Sequence, residues 1–231
     1  MRNYINESET LYRMRKANNV FSPIASRIIR VLLVNAHKAW TIKDLSEESR
    51  VSLGFTHAVT MSLIDQGYIY RDDAYHLRVS DPDKLIQRWA AYHSFVSVNT
   101  FLRYHTFQRN IDDFLSDMKK VEDPEYALTA LVGASLVAPY VRPTTIHFYV
   151  NGQEKAENWV DSLNLRPIET GGNVFIVLPY DEGVFYGVSE VNGLKVVNDV
   201  QLYVDLFNYP ARGEEAAEVI LKNLNKYWTR E

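Results

Sequence analysis

The sequence predicts an α+β protein: an N-terminal winged helix-turn-helix followed by a mixed α/β C-terminal domain. Three observations carry that expectation. Two short helical patterns with capping residues are joined by a tight connection and run directly into a hairpin pattern. Strand and helix patterns then mix through the rest of the chain. The charge divides at the same place. Residues 1–93 hold 13 Lys+Arg against 10 Asp+Glu, a balance of +3, while residues 94–231 hold 12 against 19, a balance of −7. The expected domains are therefore 1–93 and 94–231, with different partners.

The front domain reads as follows. Ser22 is placed to cap a helix, and Pro23 suits its first turn. Ile24, Ile28, Val31, Leu32 and Ala36 follow at helical spacing, with Arg27 and Arg30 between them. Thr41 caps a second helix running through Ser49, with Asp44 at the capping-box position. Arg50-Val51-Ser52 is a tight connection, and Ser52 caps a third helix to about Gln66, which Gly67 ends. Leu45, Val51, Val59 and Leu63 are the expected core between the second and third helices. Tyr68 to Tyr70 and Tyr75 to Val79 read as two strands around a turn at Arg71 to Ala74.

Such a domain places its third helix in the major groove of double-stranded DNA and its wing on the flanking backbone. The expected base-facing positions are Ser52, Gly54, His57, Thr60 and Met61. No Arg or Lys stands between Ser52 and Gln66, so phosphate contact falls to Lys43, Arg71, Arg78 and the N-termini of the second and third helices. Arg13, Arg15 and Lys16 form a basic arm ahead of the domain. The rival reading is a protein-binding winged helix.

Asp81-Pro82-Asp83 starts a further helix with Leu85, Ile86, Trp89 and Tyr92 on one face. In the back domain, Ser94 to Tyr104 alternates as a strand and Thr106 to Lys120 is helical, through Phe107, Ile111, Phe114, Leu115 and Met118. Tyr126 to Val141 becomes a strand and a helix. Thr145 to Val150 and Asn173 to Leu178 are strands around a helix at Gln153 to Leu163. Val184 to Val188 and Lys195 to Val197 read as short strands, and Gly171-Gly172 as a hairpin turn. Val200 to Phe207 and Arg212 to Trp228 are helical.

Composition narrows the chemistry. The 231 residues are 46% hydrophobic and 23% charged, ordinary globular values. Cysteine is absent, which excludes a disulfide framework, thiolate metal sites and cysteine catalysis, and fits a cytoplasmic location. No apolar run approaches the ~20 residues needed to cross a bilayer, so no membrane role is expected. Met1 to Thr10 is polar and acidic, unlike a secretory signal. His93, His105 and His147 have no metal-site spacing, and no serine sits in a nucleophile elbow. No catalytic residue, metal or cofactor is expected. An alternative enzyme, a metal-dependent nuclease or nucleotidyltransferase, has carboxylates to draw on at Asp181, Glu182 and Asp205. Arg212 has Asp205 or Glu215 as its ion-pair partner.

Several blocks carry a family likeness. They are Ala127-Leu128-Thr129, the run from Ala138 to Thr145 (APYVRPTT), Ile146 to Val150, and Asn173 to Asp181 (NVFIVLPYD). The likeness continues in Val200 to Leu206 (VQLYVDL) and Tyr209 to Ala216 (YPARGEEA), and extends forward to Ser52-Leu53-Gly54 and to Asp81 to Trp89 (DPDKLIQRW). Through them the chain resembles the antitoxin component of AbiE-type, type IV, toxin–antitoxin systems, over about residues 25–225. The resemblance implies a transcriptional repressor of its own operon that binds inverted repeats, as a homodimer or cooperatively. It also implies that the C-terminal domain counters a nucleotidyltransferase toxin without a stable complex. Asp181, Gln201, Asp205, Arg212, Glu214 and Glu215, which stand in or beside these blocks, make up a candidate polar patch of that domain.

Overall fold

A computed structural model describes residues 17, 19–121, 125–139, 142–210 and 212–229. Arg13, Arg15 and Lys16, the expected basic arm, lie outside the described residues. The chain divides into two compact units, Met1–Leu85 and Ile86–Glu231. The division falls inside the helix Pro82–Tyr92. No helix among the described residues is long and apolar enough to cross a membrane.

The front unit runs through α1 (Pro23–Val34), α2 (Ile42–Ser49), α3 (Leu53–Asp65), β1 (Ile69–Arg71) and β2 (Leu77–Val79), ending in the start of α4 (Pro82–Tyr92). Pro23 opens α1 because its missing N–H has no helical partner to lose. Ser22 stands at the cap position, but among the described residues its side chain makes no capping bond. Thr41 Oγ1 accepts from the Asp44 amide at 3.1 Å, and Ser52 Oγ from the Phe55 amide at 3.4 Å, so both expected caps form. Leu45, Val59 and Leu63 are wholly buried, and Val51 nearly so. Between α2 and α3, Ser46 Oγ donates to the Val51 carbonyl at 2.7 Å and fixes the connection. β1 and β2 pair antiparallel, Tyr70 opposite Arg78. Trp40 extends the ladder by one bridge to Leu77.

In α4, Ile86 and Trp89 are buried as expected, and so is Leu85, but Tyr92 is exposed beneath the Arg88 guanidinium at 4.9 Å. Ala90 and His93 take the inward positions instead, because the 3.6-residue period carries Tyr92 off the face.

The back unit continues with α5 (Phe95–Val98), β3 (Thr100–His105), α6 (Ile111–Met118), β4 (Tyr126–Leu128), α7 (Ala130–Val137), β5 (Ile146–Val150), α8 (Gln153–Ser162), β6 (Arg166–Pro167) and β7 (Val174–Leu178). A 3-10 turn (Glu182–Phe185), β8 (Ser189–Val191), β9 (Leu194–Val196), α9 (Asp199–Phe207) and α10 (Gly213–Trp228) complete it. Among the described residues the strands form one seven-stranded mixed sheet, ordered β6-β3-β7-β5-β4-β9-β8. β5 and β7 run parallel at its centre, Phe148 opposite Ile176.

Both faces of β5 are covered, so the strand is buried throughout. Its two-residue period sorts the side chains. Ile146, Phe148 and Val150 join Phe114 and Met118 of α6 and Trp159 of α8 in one apolar cluster. His147 and Tyr149 go the other way, against Phe95 and towards α9. Helices α7, α9 and α10 pack on one another.

Several expected elements are corrected. The strand expected from Ser94 begins only at Thr100, after the short helix α5. The helix expected from Thr106 begins at Ile111, because the Asn110 side chain takes the Asp113 amide at 2.8 Å and sets the cap there. Phe107 stays outside it, exposed under Arg166 at 4.7 Å. The strand expected at Val184 to Val188 is instead the 3-10 turn, started by Asp181 accepting from the Gly183 amide at 2.7 Å. The hairpin follows it as β8 and β9, around Asn192-Gly193, both left-handed with φ of 54° and 77°. Gly171-Gly172 does not turn a hairpin, since β6 and β7 flank β3 rather than pair with each other.

Candidate functional site

The front unit offers the surface around the start of α3. Ser52, Leu53 and Gly54 are exposed, and Phe55, His57 and Met61 are half-buried. A Cβ on Gly54 meets no atom within 4 Å, so the helix start is open to a close partner. Thr60 does not belong to this surface. It is 0% exposed, on the inward stripe with Thr56, Val59 and Leu63, and its hydroxyl donates to the His57 carbonyl at 3.0 Å. Ala17, the residue after Lys16, is tied to the same helix. Its amide donates to the Ala58 carbonyl at 3.4 Å, and its carbonyl accepts from Ser62 Oγ at 3.2 Å.

The expected phosphate-contacting cations are mostly engaged. Lys43 pairs with Glu47 at 3.8 Å along α2, both well exposed. Arg78 Nε donates to Asp72 at 2.7 Å. Asp72 also accepts from the Ala74 and His76 amides at 3.0 and 2.9 Å. The Arg78 bond, with those amides, holds the Asp72 carboxyl below the usual range. Arg71 donates to the Tyr75 carbonyl at 3.3 Å across the hairpin tip. These side chains build the hairpin's turn as well as its charge.

The sequence reading passed over Arg50. It is exposed at the end of α2 in the left-handed conformation, φ 54°. With Arg27, Ser52 and Phe55 it lines a cleft of about 390 Å³ beside the start of α3. The signal was its place in the tight connection, one residue before the helix entry, where a cation flanks the open helix end.

In the back unit, Gln201 and Asp205 of the expected polar patch belong to a buried network. Asp205 on α9 is 0% exposed. Its carboxylate accepts from Thr129 Oγ1 at 2.6 Å, from Gln201 Nε2 at 2.7 Å and from Tyr149 Oη at 3.1 Å. His93 Nε2 lies 3.3 Å from it without hydrogen-bond alignment. Asn208 Nδ2 donates to the Ala90 and His93 carbonyls, each at 3.2 Å, and so ties the end of α4 to the end of α9. Burial first, and then the Asp205 charge, raise the Tyr149 phenol well above its usual range, so it stays a donor.

Beside this network, burial pushes His147 down to about 3, leaving it neutral. Its ring stacks on Phe175 at 4.6 Å with 4° between planes. Its Nδ1 has no hydrogen-bond partner among the described residues.

The other patch residues scatter. Asp181 caps the 3-10 turn. Arg212 pairs with Glu215 at 2.6 Å on the surface, not with Asp205, which is sealed inside. Glu214 is exposed. No group of three or more His, Asp or Glu among the described residues is placed to hold a metal ion.

A family model described as "Transcriptional regulator, AbiEi antitoxin, Type IV TA system" matches residues 78–227. No curated protein and no solved structure matches the chain.

Proposed function

The chain belongs to the family of AbiEi antitoxins, transcriptional regulators of type IV toxin–antitoxin systems, and from that premise we propose a DNA-binding repressor that acts in the cytoplasm on its own operon. The front unit, with the trailing helix α4 and the basic arm, is the winged-helix reader of 1–93. The C-terminal domain, 94–231, counters a nucleotidyltransferase toxin and has no catalytic role. The family match begins at Arg78 and leaves α1, α2 and α3 outside it. The reading of those helices therefore rests on one observation, the open start of α3 beside Arg27 and Arg50.

In this reading the start of α3 enters the major groove. Ser52, Gly54, His57 and Met61 face base edges, and Arg50 takes a backbone phosphate at the groove's lip. Arg71 and Arg78 reach the flanking backbone from the wing, Arg78 by exchanging Asp72 for phosphate. Thr60 acts only by supporting the helix from inside. An inverted repeat engages two copies of the chain, as a dimer or cooperatively.

Fluorescence anisotropy with the DNA upstream of the gene tests this. Saturable binding, weakened in Arg50→Ala on all sequences and relaxed in sequence preference in His57→Ala, is the expected result. No binding to upstream DNA at low salt overturns it. A second reading has its own observation: exposed Ile24 and Leu53, with half-buried Phe55, give the same surface an apolar character suited to a protein partner. A stable protein complex lost in Leu53→Asp, together with no DNA affinity, selects that reading.

A further inference from the structure

A cleft of about 780 Å³ in the back unit is lined by the start of α6, the end of α7 and residues 139 and 142–144. It shares no lining residue with the Asp205 network. Arg109 and Arg142 both line it. Neither guanidinium has a hydrogen-bond or ion-pair partner among the described residues. Both are exposed. Ile111, Leu115, Leu136 and Pro143 give the cleft an apolar wall, and Asn110, Ser135 and Thr144 add polar groups.

We propose that this cleft binds a free nucleotide, the two arginines holding its phosphates and the apolar wall taking its base. The volume lies within the ~300–1,000 Å³ typical of small-ligand sites. Guanidinium is the side-chain group best matched to phosphate, because its planar fork donates two parallel bonds. The start of α6 does not supply the charge, since the Asn110 side chain already occupies the Asp113 amide there. Among the described residues lining the cleft, Asp112 is the one carboxylate, against two arginines. The site's field is thus positive inside a half of the chain whose balance is −7. A lone anion such as sulfate uses only the arginines. A nucleotide uses both walls, so it binds more tightly than inorganic triphosphate.

The proposal is independent of DNA binding. Isothermal titration calorimetry of the full chain with each of the four ribonucleoside triphosphates, inorganic triphosphate and adenosine tests it. Expected are saturable binding of at least one triphosphate, at least tenfold weaker binding of adenosine and inorganic triphosphate, and at least tenfold loss in Arg109→Gln/Arg142→Gln. Both positions are exposed, so the double variant keeps its unfolding midpoint. No nucleotide binding at millimolar concentration overturns the proposal. So does unchanged affinity in a folded double variant, or adenosine binding as tightly as its triphosphate.

Discussion

At the scale of single residues, Asp205 is the decisive position of the back unit. Its sequence context, an acid in a helical run, fits a surface group as well as a buried one. Burial inverts the meaning: the carboxylate is the acceptor on which Thr129, Gln201 and Tyr149 converge. Asp205→Ala strands those donors away from water, and each unsatisfied buried group costs about 1–3 kcal/mol. The expected loss is at least 3 kcal/mol, read as a lower urea midpoint. An unchanged midpoint would show that the network carries no stability. His147 gives a pH prediction. Its folded value of about 3 lies below the unfolded 6.5, so the unfolded chain binds the extra proton between those values. Its contribution is intact above pH ~6.5 and falls as the pH drops toward 3, by about 2 kcal/mol from pH 7 to pH 5. His147→Phe keeps the stacking on Phe175 and removes this slope, which urea unfolding at the two pH values measures. A slope equal to that of the parent chain counts against it.

At the scale of elements, the local code was legible wherever caps and periods acted alone. Thr41 and Ser52 start their helices as their side chains dictate, and the core positions of α2 and α3 are where the period puts them. Misread elements lacked a local signal or had one overlooked. Asn192-Gly193 was the overlooked one: two residues that tolerate positive φ, and a hairpin at that point. Arg50 is strained in the left-handed region that suits glycine. Arg50→Gly should therefore raise stability by up to about 1 kcal/mol while weakening DNA binding. Thermal unfolding and anisotropy on the same sample separate the two effects, and a variant both destabilised and unchanged in affinity contradicts both assignments. Gly213 is demanded at its position by sterics. A Cβ there stands 2.7 Å from Tyr209 Cβ and 2.8 Å from the Leu206 carbonyl, so α10 starts this close to α9 only with glycine. Gly213→Ala should lower the unfolding midpoint; an unchanged one means the two helices adjust freely.

At the scale of the whole molecule, the charge division acquires a physical reading. The positive balance lies in the unit with the open helix start, and the acidic balance in the unit with the mixed sheet. If the front unit grips phosphate, the logarithm of DNA affinity falls linearly with the logarithm of salt, with a slope near −0.9 per phosphate contacted. Removing the Arg50 contact reduces that slope by about 1. A flat response to salt rules out the phosphate grip.

The caps, the helical and strand periods and the front order of helices and hairpin were legible in the sequence alone, because short-range forces control them. Neighbours along the chain set these through hydrogen bonds and steric limits within a few residues. The tertiary structure decided which polar residues face water. His93, Thr129, Tyr149 and Asp205 are far apart in sequence, and only the closing of α9 against the sheet brings them together. The same closure took Gln201 out of contact with solvent, packing within the front unit did so for Thr60, and Arg109 and Arg142 came to line one cleft. Burial depends on what the rest of the chain packs against a residue, and no local pattern encodes that.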